Sequence, residues 1–474
     1  MKFLKSIFLI FIFQTSWAQL DTAKVFSYQD FYDLVVKNHP VLKQANTLPD
    51  NAKAELLMAK GAFDPKFSTS FDQKYFANTY YFNFWDSQLK VPIQAGGIDV
   101  KVGFERNVGQ ALGTDILTPP DGLSYIGVEI PVLQRLLIDQ RRADLRNARI
   151  FQRIADAERV KIINKLVLNA AKTYWDWYFS YRNLVLTKEF YDLAVMRYDL
   201  VKKRVNQGDL PGLDSTDAQV TLLDRKVMLE QATVDFQNAR LVLSNYLWSA
   251  EGDPREIPDF AIPQASGARV IDEQSLAQLL DLARQRHPEV QKLEFKNQQL
   301  QTDWRLAKNN MLPRLDFGVS SLNLTHRLIT GYQGDNSKSN YPIIPNFYKF
   351  NADFSMPLFL RKERGKLQQV EVKQLQNTLE IKQIRREINN DITASYNDVK
   401  AIERQIREQQ LAVERQGQLL RLEEMRFGIG ESQLFLVNQR EAKLNELRVK
   451  LESMKAKYEK AKATLLFAAG TSEW

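Results

Sequence analysis

The sequence predicts a mostly α-helical chain with a minority of β-strands, built from two internal repeats, and three observations predict it. The first is a stretch at 204–218, RVNQGDLPGLDSTDA, which interrupts a very long helical pattern and returns at 426–440 as RFGIGESQLFLVNQR. Arg204 recurs as Arg426 and Gly208 as Gly430, 222 residues on, and the same offset joins Tyr174 to Tyr396, Asp176 to Asp398, Arg142 to Arg364 and Leu145 to Leu367. The second is an earlier doubling at an offset of 248, which pairs His39-Pro40 with His287-Pro288, Ala59-Lys60 with Ala307-Lys308 and Pro65 with Pro313. The third is a change of hydrophobic period, from that of a helix to two, just after Pro65 and Pro313. Repeats of this kind decide an architecture before any single residue does.

A chain of 474 residues could hold two or three ordinary domains, but the doubling divides it differently. Residues 1–18 read as a secretory signal peptide, with Lys2 and Lys5 at the charged start, an apolar run over 7–13 and the small-x-small site Ser16-Trp17-Ala18. A first repeat then covers 19–250, a proline-rich linker or small equatorial structure 251–270, and a second repeat 271–474. No later run approaches the roughly 18 apolar residues of a spanning helix, so membrane insertion of the mature chain must use strands. The lack of any cysteine excludes disulfides, thiolate metal sites, a cysteine nucleophile and a lipid anchor on an N-terminal cysteine. The net charge of +8 comes from 65 basic and 57 acidic residues interspersed along helical stretches. That pattern describes solvated helix faces, and no nucleic-acid partner is expected.

In chain order, a short amphipathic helix from Tyr28 leads to Asn38-His39-Pro40, and a second helix follows to about Lys60. Proline ends or kinks a helical run because the residue before it is pushed out of the helical region. His39 and His287 have no carboxylate or further histidine at ligand spacing, so they are read as capping or packing residues. No metal or cofactor is expected.

Beyond Pro313, Leu315, Phe317 and Val319 alternate with Asp316, Gly318 and Ser320; after a turn-rich loop at 331–345, Tyr348, Phe350, Ala352, Phe354 and Met356 alternate with polar residues. In the first copy Phe67 and Phe71 open a strand, Ile98, Val100, Val102 and Phe104 alternate with Asp99, Lys101, Gly103 and Glu105, and Ile126, Val128 and Ile130 end at Pro131. Two strands or three alternating pieces both fit this first copy. Tyr75, Phe76, Tyr80, Tyr81, Phe82, Phe84 and Trp85 crowd near one strand end, as an interfacial belt would, and the polar alternates suit a wet lumen. The pattern therefore predicts a membrane barrel rather than a soluble sandwich. About four strands cannot close one, because the smallest single-chain barrels have roughly eight. Several chains must share it.

Helices run over about 142–205 and 366–427 without an internal proline, on the order of 100 Å at 1.5 Å per residue. Val160, Val167, Tyr174 and Tyr181 make one seven-residue row and Ile163, Ala170, Trp177 and Leu184 another, which is a coiled-coil seam. In the returning helix, Val220, Val227, Val234 and Leu241 form one row, and Leu222, Leu229, Phe236 and Leu243 form a second. Two residues along a helix are about 200° apart, so these rows lie on opposite flanks. The last helix repeats the arrangement with Val437, Leu444, Leu451, Tyr458 and Leu465 on one flank and Ala442, Val449 and Ala456 on another. A helix packed on both flanks and polar between them suits the wall of a ring of helices with water inside and outside.

The signal peptide, the doubled order of helix, strands, proline and long hairpin, and the tips at 208–218 and 430–440 together resemble the TolC-like outer-membrane efflux protein family, over essentially the whole mature chain. The resemblance implies a homotrimer in which each chain gives four strands to a twelve-stranded outer-membrane β-barrel and four helical stretches to a long periplasmic α-helical barrel. It also implies outer-membrane lipid around the barrel, a periplasmic adaptor protein and an inner-membrane transporter as partners. The family's tunnels narrow at the periplasmic tip, often with acidic residues just beyond the turn glycine. Gly208, Asp214 and Asp217 match those positions in the first copy; Gly430, Leu436 and Gln439 match them in the second, where the acidic residues are missing. Asp214 fits a helix N-cap equally well.

The functional expectation is a passive exit duct of a tripartite efflux or type I secretion system. The chain has no GxxxxGK[ST] phosphate loop and no nucleophile constellation, so an enzyme is not expected. The alternatives are a periplasmic coiled-coil adaptor or structural protein, which would ordinarily carry one hairpin flanked by soluble β domains, and a surface adhesin or secretion conduit of related build.

Overall fold

A computed structural model describes residues 24–110, 112–113, 116–258, 260–264, 271–322 and 348–471. The stretch read as a signal peptide and the turn-rich loop at 331–345 lie outside them. The first half contains β1 (Lys24–Phe26), α1 (Tyr28–Asn38), α2 (Pro40–Asn46), α3 (Leu48–Gly61), β2 (Lys66–Phe76), β3 (Thr79–Pro92), β4 (Asp99–Val108), β5 (Leu123–Pro131), α4 (Gln140–Asn206) and α5 (Gly212–Ser244). The second contains β6 (Ala261–Pro263), α6 (Glu273–Arg286), α7 (Pro288–Asn309), β7 (Arg314–Leu322), β8 (Tyr348–Ser355), α8 (Arg361–Gly428) and α9 (Leu434–Ala468).

The two long helices have 67 and 68 residues, so each spans on the order of 100 Å. Asp139 starts α4 by accepting the Arg142 N–H at 2.9 Å, and α8 continues unbroken through Gly417. Such lengths exceed what propensity alone sustains, and lateral packing supplies the rest. Near the sheet, α4 lies against α3 and α7, and α7 against α8; farther away, α4 lies against α5 and α9, and α9 against α8. Four helical tracks therefore stand side by side at both levels, with α4 and α8 continuous and the shorter helices filling the other two.

Two apolar clusters pin this wall at mid-height. Tyr174 and Trp177 are fully buried with Phe31, Leu243 and Leu247, and the Tyr174 hydroxyl donates to the Phe26 carbonyl at 2.8 Å. Ile392, Tyr396, Val399 and Leu465 form the second cluster. The linker returns to the start of the chain, since β6 pairs in parallel with β1.

All the strands from β2 to β5, with β7 and β8, form one antiparallel sheet in the order β2-β3-β4-β5-β7-β8. Six strands thus stand where about four were expected, with four in the first copy instead of two or three. The first two form a hairpin, β2 and β3, closed by Ala77 and Asn78 at φ 51° and 60°. Positive φ at both central residues is the twist-compatible hairpin turn. The strand read as opening at Phe67 and Phe71 is β2; its return strand β3 was missed because the turn has no glycine and the run Tyr80-Tyr81-Phe82 breaks alternation.

The registers sort the sheet into two faces. One carries Phe67, Phe71, Trp85, Leu89, Val91, Val100, Val102, Phe104, Ile126, Val128, Phe317, Val319, Phe350 and Phe354; the other carries Ser68, Ser70, Asp72, Asp86, Gln88, Lys101, Glu105, Glu129, Ser320, Asn351 and Asp353. No described helix is long and apolar enough to cross a membrane.

Candidate tunnel tip and wall

At the end farthest from the sheet, both helical hairpins reverse through one backbone motif. Gly208 and Gly430 have φ of 82° and 80°. The Asp209 N–H donates to the Arg204 carbonyl and the Glu431 N–H to that of Arg426, each at 2.9 Å, the six-to-one bond of a left-handed helix stop. A Cβ on either glycine would meet nothing within 4 Å, so the requirement is for the backbone angle and not for space. The two tips are joined by a cluster of Val201, Ala218 and Leu434 with Phe427 against it, and the Arg204 guanidinium lies 5.7 Å over the Phe427 ring.

Asp214 is the third residue of α5, and the N-cap is Pro211, which offers no side-chain cap. The capping alternative is therefore corrected: proline presets the entry angle, and the Asp214 charge acts on the positive end of the helix dipole instead. Asp217 accepts a hydrogen bond from the Asn438 amide at 3.1 Å. Leu436 and Gln439 are exposed on the first turns of α9.

Asn438 opens onto a network that sequence reasoning missed. Arg197 of α4 donates to Asn438 Oδ1 at 3.4 Å, pairs with Glu441 of α9, and reaches Glu424 of α8 at 3.2 Å. With Asp217 on α5, all four tracks meet here through polar contacts. Glu441 is only 1% exposed. The available signal was a glutamate at helical spacing between Val437 and Leu444, inside an apolar row. Higher up, Glu452 accepts from Lys455 at 2.8 Å, from the Tyr178 hydroxyl at 3.1 Å and from Arg182 at 3.3 Å. Burial pushes its pKa up, but the charges of Lys455 and Arg182 and the hydrogen bonds hold it below the usual carboxylate value.

The row Leu222, Leu229, Phe236 and Leu243 lies on the α4 side within the chain: Leu243 is fully buried, and Phe236 stands 5.8 Å from the Tyr181 ring. The opposite row is bare, with Val220 and Val227 at 61% and 66% exposure. Where the sheet meets α4, buried Asp99 is held by Lys90 and Arg141, each at 2.9 Å, and buried Asp316 by Arg314 and Arg135.

Both histidines cap helices. His39 Nδ1 accepts the Val41 N–H at 3.1 Å and His287 Nδ1 the Glu289 N–H at 3.3 Å. Burial lowers both pKa values below 6.5. The unfolded chain thus binds more protons below that point, so stability is full above pH 6.5 and declines as pH falls through the folded values. Melting temperature is expected to drop between pH 7 and 5.5, and His39→Asn with His287→Asn, which keeps a capping side chain, should flatten that slope. An unchanged slope would take the histidines out of the acid response.

The outer membrane efflux protein family model matches residues 279–471. No curated protein matches the sequence. Among solved structures, the chain is similar to the CmeC outer membrane channel of Campylobacter jejuni, at 15% identity and TM-score 0.64, over 93% of this chain and 85% of that one. It is also similar to the outer membrane protein VceC of Vibrio cholerae, at 14% identity and TM-score 0.64, over 94% and 96%. The Neisseria gonorrhoeae MtrE outer membrane channel aligns at 13% identity and TM-score 0.66, over 94% and 89%. The family match thus lies in the second half of the chain, and the fold likeness to these outer-membrane channel structures extends over at least 93% of it.

Proposed function

We propose that, after removal of the signal peptide at 1–18, three copies of this chain form an exit duct from periplasm to exterior, a passive conduit served by a periplasmic adaptor and an inner-membrane transporter. In this reading the repeats at 19–250 and 271–474 each supply strands to an outer-membrane barrel and a hairpin to the tunnel wall, with 251–270 as an equatorial linker. Gly208, Asp214, Asp217, Gly430, Leu436 and Gln439 belong to the closable aperture, where carboxylates from three copies favour cations.

One observation carries the reading: a sheet with one apolar face stands on a four-track helical wall whose two outer edges are both apolar. On one edge Leu57 and Met58 of α3 and Val220, Val227, Val234 and Leu241 of α5 are exposed. On the other, Val372, Leu375 and Leu379 near the sheet and Leu419, Leu422 and Met425 near the tip are exposed along α8. Exposed apolar strips on opposite edges mark interfaces, and edges that differ join head to tail into a closed ring. The expected result is a trimer by native mass measurement in mild detergent, from outer-membrane extracts, that conducts ions in a planar bilayer. Recovery as a monomer in a detergent-free periplasmic extract would sink the proposal.

A further inference from the structure

We propose that the free sheet edges, β2 of one copy and β8 of the next, pair with each other, so that three copies close an eighteen-stranded barrel instead of a twelve-stranded one. This rests on the trimeric duct proposed above.

The hairpin of β2 and β3 has the properties of wall, not of an appendage. β3 occupies the edge of β4 over ten register pairs, from Asn83 with Val108 to Pro92 with Asp99. It also continues both faces of the sheet: Phe67 and Phe71 align with Trp85 and Leu89 on the apolar side, and Ser70 with Asp86 on the polar side. Its strands of 11 and 14 residues are long enough to cross a bilayer when tilted. The tyrosines and phenylalanines around its Ala77-Asn78 turn lie at the end away from the helices, where an interfacial belt belongs.

Strand direction then fixes the partner. Six strands alternate in direction, so β8 runs opposite to β2, and a neighbouring copy presents the edge needed for an antiparallel ladder. An edge left open in hydrocarbon would strand its backbone N–H and C=O groups without water, which closed barrels avoid. A second copy of the chain satisfies both edges at once, and an even strand number results.

The circumferences agree as well. Twelve helices packed about 8–10 Å apart measure on the order of 100–120 Å around. Eighteen strands about 4.8 Å apart and tilted by about 40° measure on the order of 110 Å, whereas twelve measure only about 75 Å. The wider barrel meets the helical ring without a taper.

The chain lacks cysteine, so engineered pairs report cleanly. Ser68→Cys or Ser70→Cys in β2, combined with Asn351→Cys or Asp353→Cys in β8, should give covalent dimers and trimers when oxidised in outer membranes. Glu105→Cys in β4 combined with Asn351→Cys should give none, because β3 and β5 flank β4. Links from β8 to β4 in an intact trimer would place β2 and β3 outside the wall and overturn the proposal while leaving the duct standing. A trimer linked by neither set would overturn it too. Chains that stay monomeric would overturn both readings together.

Discussion

Arg197→Ala is expected to loosen the tip of the helical hairpins and to produce the largest loss of stability of any single change there. The substitution leaves Glu441, whose side chain is 2% exposed, without its guanidinium partner, and frees Asn438 from one of its ties. Breaking one side of a buried ion pair costs about 3–5 kcal/mol. The Arg197 side chain is itself 17% exposed, so the lower end applies. Since Arg197 touches residues of α8 and α9, and Asn438 reaches Asp217 of α5, its loss detaches tracks from one another and not merely one side chain. Single-channel conductance should rise while melting temperature falls. Glu424→Ala tests the specificity of the effect: that carboxylate is 44% exposed, and its loss should cost no more than about 1 kcal/mol with little change in conductance. Wild-type conductance and melting in the arginine variant would show that the tip is held by its apolar cluster alone.

Val227→Lys should abolish assembly while leaving the chain folded. Val227 stands on the bare flank of α5, where the isolated chain places nothing over it, so a lysine there keeps its charge in water until a neighbouring copy arrives. Closing the ring would then bury an unpaired ammonium, a penalty of several kcal/mol, and symmetry repeats it in every copy. Phe236→Lys provides the contrast. Its ring packs beside Tyr181 of the same chain, next to the Tyr174 cluster, so this charge acts on the fold of the monomer. Circular dichroism melts and native mass in detergent separate the two outcomes. A normal trimer from the Val227 variant would mean that this flank faces water in the assembly and that the ring closes elsewhere.

The sequence by itself determined the elements that depend on local chemistry and on doubling. The offset of 222 located both turn glycines, because a reversal between long helices needs a left-handed residue wherever it occurs, and the structure has both at φ near 80°. Prolines after His39 and His287 marked helix starts, because their effect is confined to neighbouring backbone angles. Seven-residue rows located the buried face of α4, including Tyr174 and Trp177. The alternating strands after Pro313 appeared as β7 and β8.

Tertiary structure alone decided what depends on which surfaces meet. The return strand β3 was hidden because aromatic residues on both faces mask a period of two, and only its pairing with β2 and β4 makes its register visible. Which of the two rows on α5 packs inside the chain is not written in their composition, since valine and leucine suit either flank; the position of α4 assigns Leu243 to the interior and leaves Val227 bare. The Arg197, Asn438 and Glu441 network joins residues more than 200 apart in sequence. No local pattern could report it, because its geometry exists only once four helical tracks stand side by side.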